Sequence, residues 1–241
     1  MKCLILAGGF ATRLYPLTID KAKALLEIKG KPVINHIIDR VPNNIEVLVS
    51  TNKKFETDFK EWQKTLRRPV EILIEEALTD DRKLGAVGAI DYWIKRKDIK
   101  EDIVVIAADN YLEFDLTDLM AKFDGKNVMI AVHDVGDKDK ACDIGKKCQL
   151  GLVILDGTKV IRLDEKPPEP TSSIIATGIY VLPQRIFPLL AQYCRQKKRD
   201  NLGEFINFLL SKEEVFAYPF TEVWADIGDE ITKGRLFVHG T

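Results

Sequence analysis

Residues 4–18 read Leu-Ile-Leu-Ala-Gly-Gly-Phe-Ala-Thr-Arg-Leu-Tyr-Pro-Leu-Thr, an order of residue types suited to holding an anion. The apolar run Cys3 to Ala7 has the make-up of a buried strand and ends directly on Gly8 and Gly9. Glycines lack a Cβ and reach positive φ, so successive backbone N–H groups can converge on phosphate oxygens. Arg13 adds a permanently charged planar fork that suits the same oxygens. A strand feeding such a loop sets it at the carboxyl edge of an open α/β sheet, where ligands bind. The loop fits neither the dinucleotide pattern G-x-G-x-x-G nor the P-loop pattern G-x-x-x-x-G-K-[ST]. A Gly-Gly turn alone is common, but a plain turn has no use for Thr12 and Arg13.

Other residues could join this loop. Lys23, ten residues past Arg13, could bring positive charge to a triphosphate, whereas Lys21, Lys29 and Lys31 read as solvated loop lysines. Asp109 stands at the carboxyl end of the apolar run Ile103 to Ala108. A rigidly held carboxylate there suits Mg²⁺, which takes one or two carboxylates plus substrate phosphates; Asp109-Asn110 is equally good turn chemistry. Asp226 ends the short run Val223-Trp224-Ala225 ahead of Gly228, and completes a metal pair only if the fold brings it to Asp109. In Glu165-Lys166-Pro167, a glutamate able to hold sugar hydroxyls sits beside a lysine able to hold a phosphate, with an exposed charged turn as the other reading. Leu84-Gly85-Ala86-Val87-Gly88-Ala89 opens a helix with small side chains, either to admit a flat base or to pack helices tightly.

The elements that must position these groups alternate. After the strand Cys3–Ala7, the periodicity predicts a helix over 32–41, a strand over 45–49, a helix over 53–66 and a strand over 70–74. A helix over 84–94 and strands over 103–107 and 127–132 follow. Such alternation with continuous apolar strands predicts a parallel sheet covered on both faces. From residue 149 strands dominate, over 151–155, 160–163 and 174–182. Helices over 184–194 and 202–210 come next, the second capped by Asp200 or Asn201. A strand over 215–218, the 223–227 run and a terminal helix close the chain. The reading is one α/β domain over residues 1–241, with a nucleotide-binding half to about residue 125 and a sugar-phosphate half after it.

Composition narrows the classes. The chain has 241 residues, 46% hydrophobic and 30% charged, enough for a sizeable core. Its 36 basic and 37 acidic residues leave a net charge of −1, so neither a nucleic-acid nor a membrane partner is expected. The basic runs Arg67-Arg68, Lys146-Lys147 and Arg195 to Arg199 read as solvated faces or helix ends. The cysteines at 3, 142, 148 and 194 form no C-x-x-C pair, and the histidines at 36, 133 and 239 are scattered, which argues against zinc. With no leader-like start and no run of membrane-spanning length, a reducing cytoplasm is the expected setting.

Taken in order, the motifs resemble one family. They are Gly8-Gly9-x-x-Thr12-Arg13-Leu14-x-Pro16-x-Thr18, Lys23 with Leu25-Leu26, Leu84-Gly85-x-x-Gly88-Ala89 and Asp109-Asn110. Gly151, Glu165-Lys166-Pro167, Thr177-Gly178-Ile179-Tyr180 and Trp224-Ala225-Asp226-x-Gly228 complete the set. The chain resembles the sugar-1-phosphate nucleotidylyltransferases, and looks most like their glucose-1-phosphate thymidylyltransferase branch. The resemblance implies a single Rossmann-like domain with a mostly parallel, mixed central sheet covered by helices, the nucleotide-diphospho-sugar transferase fold. It implies transfer of a nucleotidyl group from an NTP to a hexose 1-phosphate, with Mg²⁺ as cofactor and a monomer or small homo-oligomer as the working unit.

By the same resemblance Leu6, Ala7, Gly8, Gly9, Ala11, Thr12 and Arg13 hold the nucleotide, with Leu84, Gly85 and Gly88 beside its base. Glu75 or Glu76 reads that base. Arg13, Lys23 and Lys166 are the catalytic cations, Asp109 and Asp226 the metal ligands. Asn110, Gly151, Glu165, Lys166, Thr177 and Gly178 form the sugar-phosphate site. Three positions depart from the family pattern. Ala11 replaces a glycine, so a positive φ there would be strained; Ala22 replaces a proline; Leu150 stands where an aromatic is usual. The short chain and the overall motif match favour dTTP or UTP with glucose 1-phosphate. GTP with mannose 1-phosphate is the alternative, and a non-catalytic nucleotide-sugar sensor the alternative of another class.

Overall fold

The computed structural model describes residues 1–142, 148–195 and 199–232. The first βα units form where apolar runs meet amphipathic ones: β1 (Lys2–Leu6), the short hairpin β2 (Glu27–Ile28) and β3 (Lys31–Pro32), α1 (Val33–Ile38), β4 (Glu46–Asn52), α2 (Glu56–Gln63), β5 (Glu71–Glu75) and α3 (Ala86–Arg96). Next come β6 (Ile103–Ala107), β7 (Asn110–Leu112), α4 (Leu116–Lys122) and β8 (Val128–Asp134). The second half adds β9 (Gly151–Asp156), β10 (Lys159–Glu165), β11 (Ile174–Leu182), α5 (Phe187–Cys194), α6 (Leu202–Leu210), β12 (Val215–Phe220), β13 (Trp224–Asp226) and α7 (Ile227–Thr232).

Nine strands join in the order β5-β4-β1-β6-β11-β8-β12-β10-β9. The β5-β4-β1-β6 block is parallel, as is β8-β12, while β11 runs antiparallel to both of its neighbours β6 and β8. The sheet is therefore mixed, and the expectation of a parallel sheet holds only for its first half. The chain passes from β1 outward to β4 and β5, then returns to the other side of β1 as β6. That reversal makes a crevice at the carboxyl ends of β1 and β6, the place where open α/β sheets take ligands. Leu4, Ile5, Val104, Val105 and Ile106 are fully buried, with apolar clusters on both faces of the sheet. Cys3 lies in the core as expected, and burial pushes its thiol up to about 12.

Several boundaries differ from the periodicity. The first helix is only Val33–Ile38, since Pro32 caps it and the chain turns at Asp39. The helices expected over 53–66 and 184–194 each open on a 3₁₀ turn, Lys53–Phe55 and Gln184–Ile186. The third begins at Ala86, because Gly85 has φ 76° and is not helical. Helix α6 spans the expected residues, and Asn201 rather than Asp200 caps it by accepting from the Glu204 N–H. The hairpin β2–β3, strand β7 and helix α4 were not anticipated. Cys142 and Cys148 form a disulfide, a pairing that a reducing setting did not suggest. The Lys146-Lys147 run, the middle of the Arg195–Arg199 run and His239 lie outside the described residues.

Candidate active site

The glycine loop leaves β1 where its neighbours hold it tightly. Ala7 N–H donates to the Ser50 carbonyl at 2.7 Å, and Asn52 Nδ2 donates to the Gly8 carbonyl at 3.3 Å. Ala11 takes φ 49° and ψ 41°, the left-handed conformation that the sequence reading marks as strained for an alanine. Its carbonyl accepts from Thr18 Oγ1 at 2.8 Å, so a side chain seven residues on locks the turn. The 3₁₀ turn Thr12–Leu14 follows, with Thr12 and Arg13 exposed and Leu14 buried. Arg13 Nη1 donates to Gln149 Oε1 at 2.8 Å, a contact with the second half of the chain that the motif reading did not contain.

The decisive local structure is a two-stranded ribbon. Strand β7 continues from Asp109, and β13 pairs with it antiparallel, setting Asp226 opposite Asn110. Ile227 N–H donates to the Asp109 carbonyl at 2.9 Å, closing the ribbon at its tip. Asp109 and Asp226, nearly half the sequence apart, are thus joined as the metal reading required. Lys23 reaches this pair and places its Nζ 2.5 Å from Asp109 Oδ2. Gly228 makes room for it: a Cβ there would stand 2.9 Å from Lys23 Nζ and 3.2 Å from Asp226 Oδ1. Burial works against the lysine's charge, but Asp109 and Asp226 outweigh it and hold its pKa above the ordinary value. Burial and the neighbouring Asp109 charge push Asp226 up to about 6. Desolvation opposes the charge of the part-buried Asp109, but Lys23 holds its carboxyl below the usual carboxylate range. Two carboxylates on one ribbon offer oxygen ligands to a divalent cation, beside Lys23, Arg13 and Lys166. Two protein carboxylates with room for phosphate and water suit Mg²⁺ better than a closed all-protein cage would.

Two adjoining cavities open from this centre. The first, about 200 Å³, is lined by Leu6, Gly8, Glu75, Gly85, Ala86 and Ala89 among others, and reaches Lys23 and Asp109. The second, about 360 Å³, is bounded by Gly9 to Leu14, Gln149, Leu150, Lys166, Asp226 and Gly228. Of the two candidate base readers, Glu75 is buried at 4% exposure and faces the first cavity, while Glu76 is exposed. Ser50 Oγ donates to Glu75 Oε1 at 2.9 Å, and the Leu84 N–H donates to Oε2 at 3.3 Å. Burial raises the Glu75 carboxyl above its ordinary range, opposed by those two donors. Gly8 is pinned to its type here, because a Cβ would lie 3.0 Å from Glu75 Oε1.

The Leu84–Ala89 stretch both borders a cavity and packs tightly. Gly85, Ala86 and Ala89 line the first cavity. Gly85 also lies under residues 199–200, where a Cβ would come within 2.7 Å of the Arg199 carbonyl, and Gly88 packs against the Arg199 side chain. That carbonyl accepts from the Val87 and Gly88 N–H groups, so the end of α3 is capped by protein. Lys83 and Asp200, which also border the cavity, pair at 3.0 Å, and the sequence reading places neither in the site.

The sugar-phosphate residues divide. Lys166, at φ 47°, turns into the second cavity with its Nζ 3.8 Å from Glu165 Oε1. Glu165 runs between Gly151 and Gly203, with Oε2 placed 3.2 Å from where a Gly151 Cβ would stand. Gly178, at φ 77°, packs against Ala107 and Asn110. The other two expected contacts are spent inside the protein. Thr177 Oγ1, buried, donates to the Ala131 carbonyl at 2.8 Å. Asn110 donates to the Ala107 carbonyl at 2.9 Å and accepts from Trp224 Nε1 at 2.5 Å, so it braces the ribbon that carries Asp226.

Fold and site together define a nucleotide-handling α/β protein. The chain belongs to the nucleotidyl transferase family, whose profile matches residues 2–231. It is 26% identical over 235 residues to a Sulfolobus acidocaldarius protein described as a mannose-1-phosphate guanyltransferase, covering 95% of this chain and 60% of that one. It is 28% identical over 233 residues to the bifunctional protein GlmU of Methanocaldococcus jannaschii, covering 95% of this chain and 51% of the relative. The chain thus spans between half and three-fifths of the length of these relatives. Among solved structures, one from Bacillus anthracis described as a glucose-1-phosphate thymidylyltransferase superposes with a TM-score of 0.77 at 22% identity. The match covers 98% of this chain and 94% of that one, and establishes the nucleotide-diphospho-sugar transferase fold. Among the described residues, no helix is long and apolar enough to cross a membrane.

Proposed function

We propose that this protein transfers a nucleotidyl group from a nucleoside triphosphate to a hexose 1-phosphate, releasing pyrophosphate. The observation that carries this reading is Lys23 paired with Asp109, on the ribbon that also carries Asp226, at the junction of the two cavities. The nucleoside enters the first cavity and rests on Gly85, Ala86 and Ala89. Backbone N–H groups of the Gly8 to Thr12 loop, with Arg13, receive the β- and γ-phosphates. The α-phosphate then lies beside Lys23, and Lys166 brings in the sugar phosphate from the second cavity. Glu165 holds sugar hydroxyls, with Gly151 letting its carboxylate lie close to the backbone, while Gly178, Thr177 and Asn110 position this wall through their packing and internal hydrogen bonds.

A sugar-phosphate oxygen attacks the α-phosphorus in line, a new P–O bond forms, and the bond to pyrophosphate breaks. No covalent enzyme intermediate is needed, so positioning and charge neutralisation carry the rate. Asp109 and Asp226 would hold Mg²⁺, which when bound neutralises phosphate oxygens. Lys23 keeps its proton throughout and follows the charge as it moves to the departing pyrophosphate.

The test is pyrophosphate release from each common NTP paired with a panel of hexose 1-phosphates. Turnover with at least one pair is expected, falling by two or more orders of magnitude in Asp109→Asn while the melting temperature stays close to wild type. Absence of turnover with every pair would overturn the reading and favour a non-catalytic sensor. Unchanged turnover in Asp109→Asn would remove Asp109 from the metal pair.

A further inference from the structure

Glu75 is held by a directional chain of donors that the transfer chemistry does not require. Trp93 Nε1, which can only donate, gives its proton to Ser50 Oγ at 2.8 Å. Ser50 has a single proton, and this contact leaves it for Glu75 Oε1 at 2.9 Å. The other oxygen, Oε2, receives the Leu84 N–H. Ser50 and Trp93 are buried at 0% and 3% exposure, so water cannot replace either link. Each carboxylate oxygen has two acceptor sites, so each keeps one after its protein donor is served. The slot around it is walled by Leu6, Gly8, Gly85, Ala86 and Ala89, and the charged Lys83 on its border is already paired with Asp80 and Asp200. A base edge lying there meets two acceptors side by side.

Only one common base offers two adjacent donors. Guanine presents N1–H and N2–H₂ together. Uracil and thymine present N3–H between two carbonyls, so a carbonyl oxygen would face a carboxylate oxygen. Adenine and cytosine present an amino group beside a bare ring nitrogen, with the same conflict. We infer, resting on the nucleotidylyl-transfer reading above, that the base slot selects guanine, and that Ser50 and Trp93 are the positioning residues that fix the choice by holding Glu75 as a two-oxygen acceptor. This departs from the pyrimidine favoured by motif resemblance, because a side chain that only accepts cannot serve a pyrimidine carbonyl. A buried site built to pair with specific hydrogen bonds rejects a partner lacking them strongly, so GTP should be favoured over dTTP and UTP on the order of 100-fold or more.

The experiment measures binding of GTP, dTTP and UTP by calorimetry, and kcat/KM for each with a hexose 1-phosphate, in wild type, Glu75→Gln, Ser50→Ala and Trp93→Phe. Folding is checked by thermal melting. Wild type should prefer GTP. Ser50→Ala should lower the GTP-to-dTTP ratio at least tenfold, Trp93→Phe should lower it less, and Glu75→Gln should bring the pyrimidine nucleotides level or ahead. A purely structural role for Ser50 or Trp93 would weaken all three nucleotides alike and leave that ratio in place, which overturns the relay. A wild-type preference for dTTP or UTP with normal turnover overturns the guanine assignment and leaves nucleotidylyl transfer standing. Failure to bind or turn over any nucleotide removes both.

Discussion

Gly228→Ala separates catalytic geometry from fold more cleanly than loss of a charged residue would. The new methyl would lie 2.9 Å from Lys23 Nζ, against an ordinary separation near 3.5 Å for such atoms. The ammonium group ends a flexible stem and can yield, so it retreats by about 0.5 Å. Its partner cannot follow, because Asp109 is fixed between β6 and the ribbon. Lengthening that pair from 2.5 Å by this amount forfeits about 1 kcal/mol at an effective dielectric near 20. Alanine in place of glycine within α7 returns up to about 1 kcal/mol of helix propensity. The two offset each other, and the melting temperature should move by no more than about 3 °C. The rate has no such offset. A displacement of that size at a group serving the reacting phosphate should cost on the order of tenfold in kcat/KM. Steady-state pyrophosphate release and a thermal melt on the same sample read both quantities. Unchanged kcat/KM with an unchanged melt would show that Gly228 does not set the position of Lys23. A fall of 10 °C or more would mean that the helix moved instead of the lysine.

Three more perturbations test other parts of the structure. Ala11→Gly should raise the urea midpoint, since the left-handed φ of 49° costs an L-residue about 1–2 kcal/mol and exceeds glycine's extra unfolded-state entropy of about 0.5–1; a lower midpoint would contradict that conformation. A dithiol reductant should lower the urea midpoint, because the Cys142–Cys148 bridge closes a short loop worth about 2 kcal/mol in unfolded-chain entropy. The double variant Cys142→Ser, Cys148→Ser should match the reduced protein, and indifference to reductant would show that no bridge forms in solution. Burial holds His36 below its ordinary pKa, so the unfolded chain takes up its proton first. That contribution to stability is complete above the unfolded value of about 6.5 and falls away as pH drops below it. Urea titrations between pH 7.5 and 5 should therefore be flatter in His36→Gln, and equal slopes would rule the residue out.

The legible parts of the chain were those written in local pattern. Continuous apolar runs such as Ile103 to Ala107 announced buried strands, and the carboxyl ends of two of them bear Gly8 and Asp109. The β11 reversal was illegible, because a buried antiparallel strand carries the same continuous apolar signature as a parallel one. The ribbon β7–β13 was hidden for another reason. Three residues on each side are too short for periodicity, and their pairing is a long-range event. Hence Asp226 was visible as a candidate but its meeting with Asp109 was not. Gln149 and the Ser50–Trp93 pair carried no signal, since a buried serine in a strand and a tryptophan in a helix are ordinary core choices. Glu75 and Glu76 were equal candidates in the sequence, and only the pleat shows that Glu75 turns inward. Thr177 and Asn110 show the limit of motif transfer. The motif names both as sugar-phosphate contacts, whereas their polar groups are bonded within the protein.

The ribbon also sets a chronology. A growing chain exposes the glycine loop, Lys23, Glu75 and Asp109 early, and these can settle around β1 and β6 while the rest is still being made. Asp226 arrives only with β13, whose partner β7 has been waiting since the middle of synthesis. Until then Lys23 and Asp109 neutralise each other, and the second carboxylate of the cradle is missing. A partly made molecule therefore has Lys23 beside Asp109 but not the second carboxylate of the ribbon. The same dependence makes residues 221–226 a single point of failure: a nick there would leave the nine-stranded sheet joined and remove the cradle.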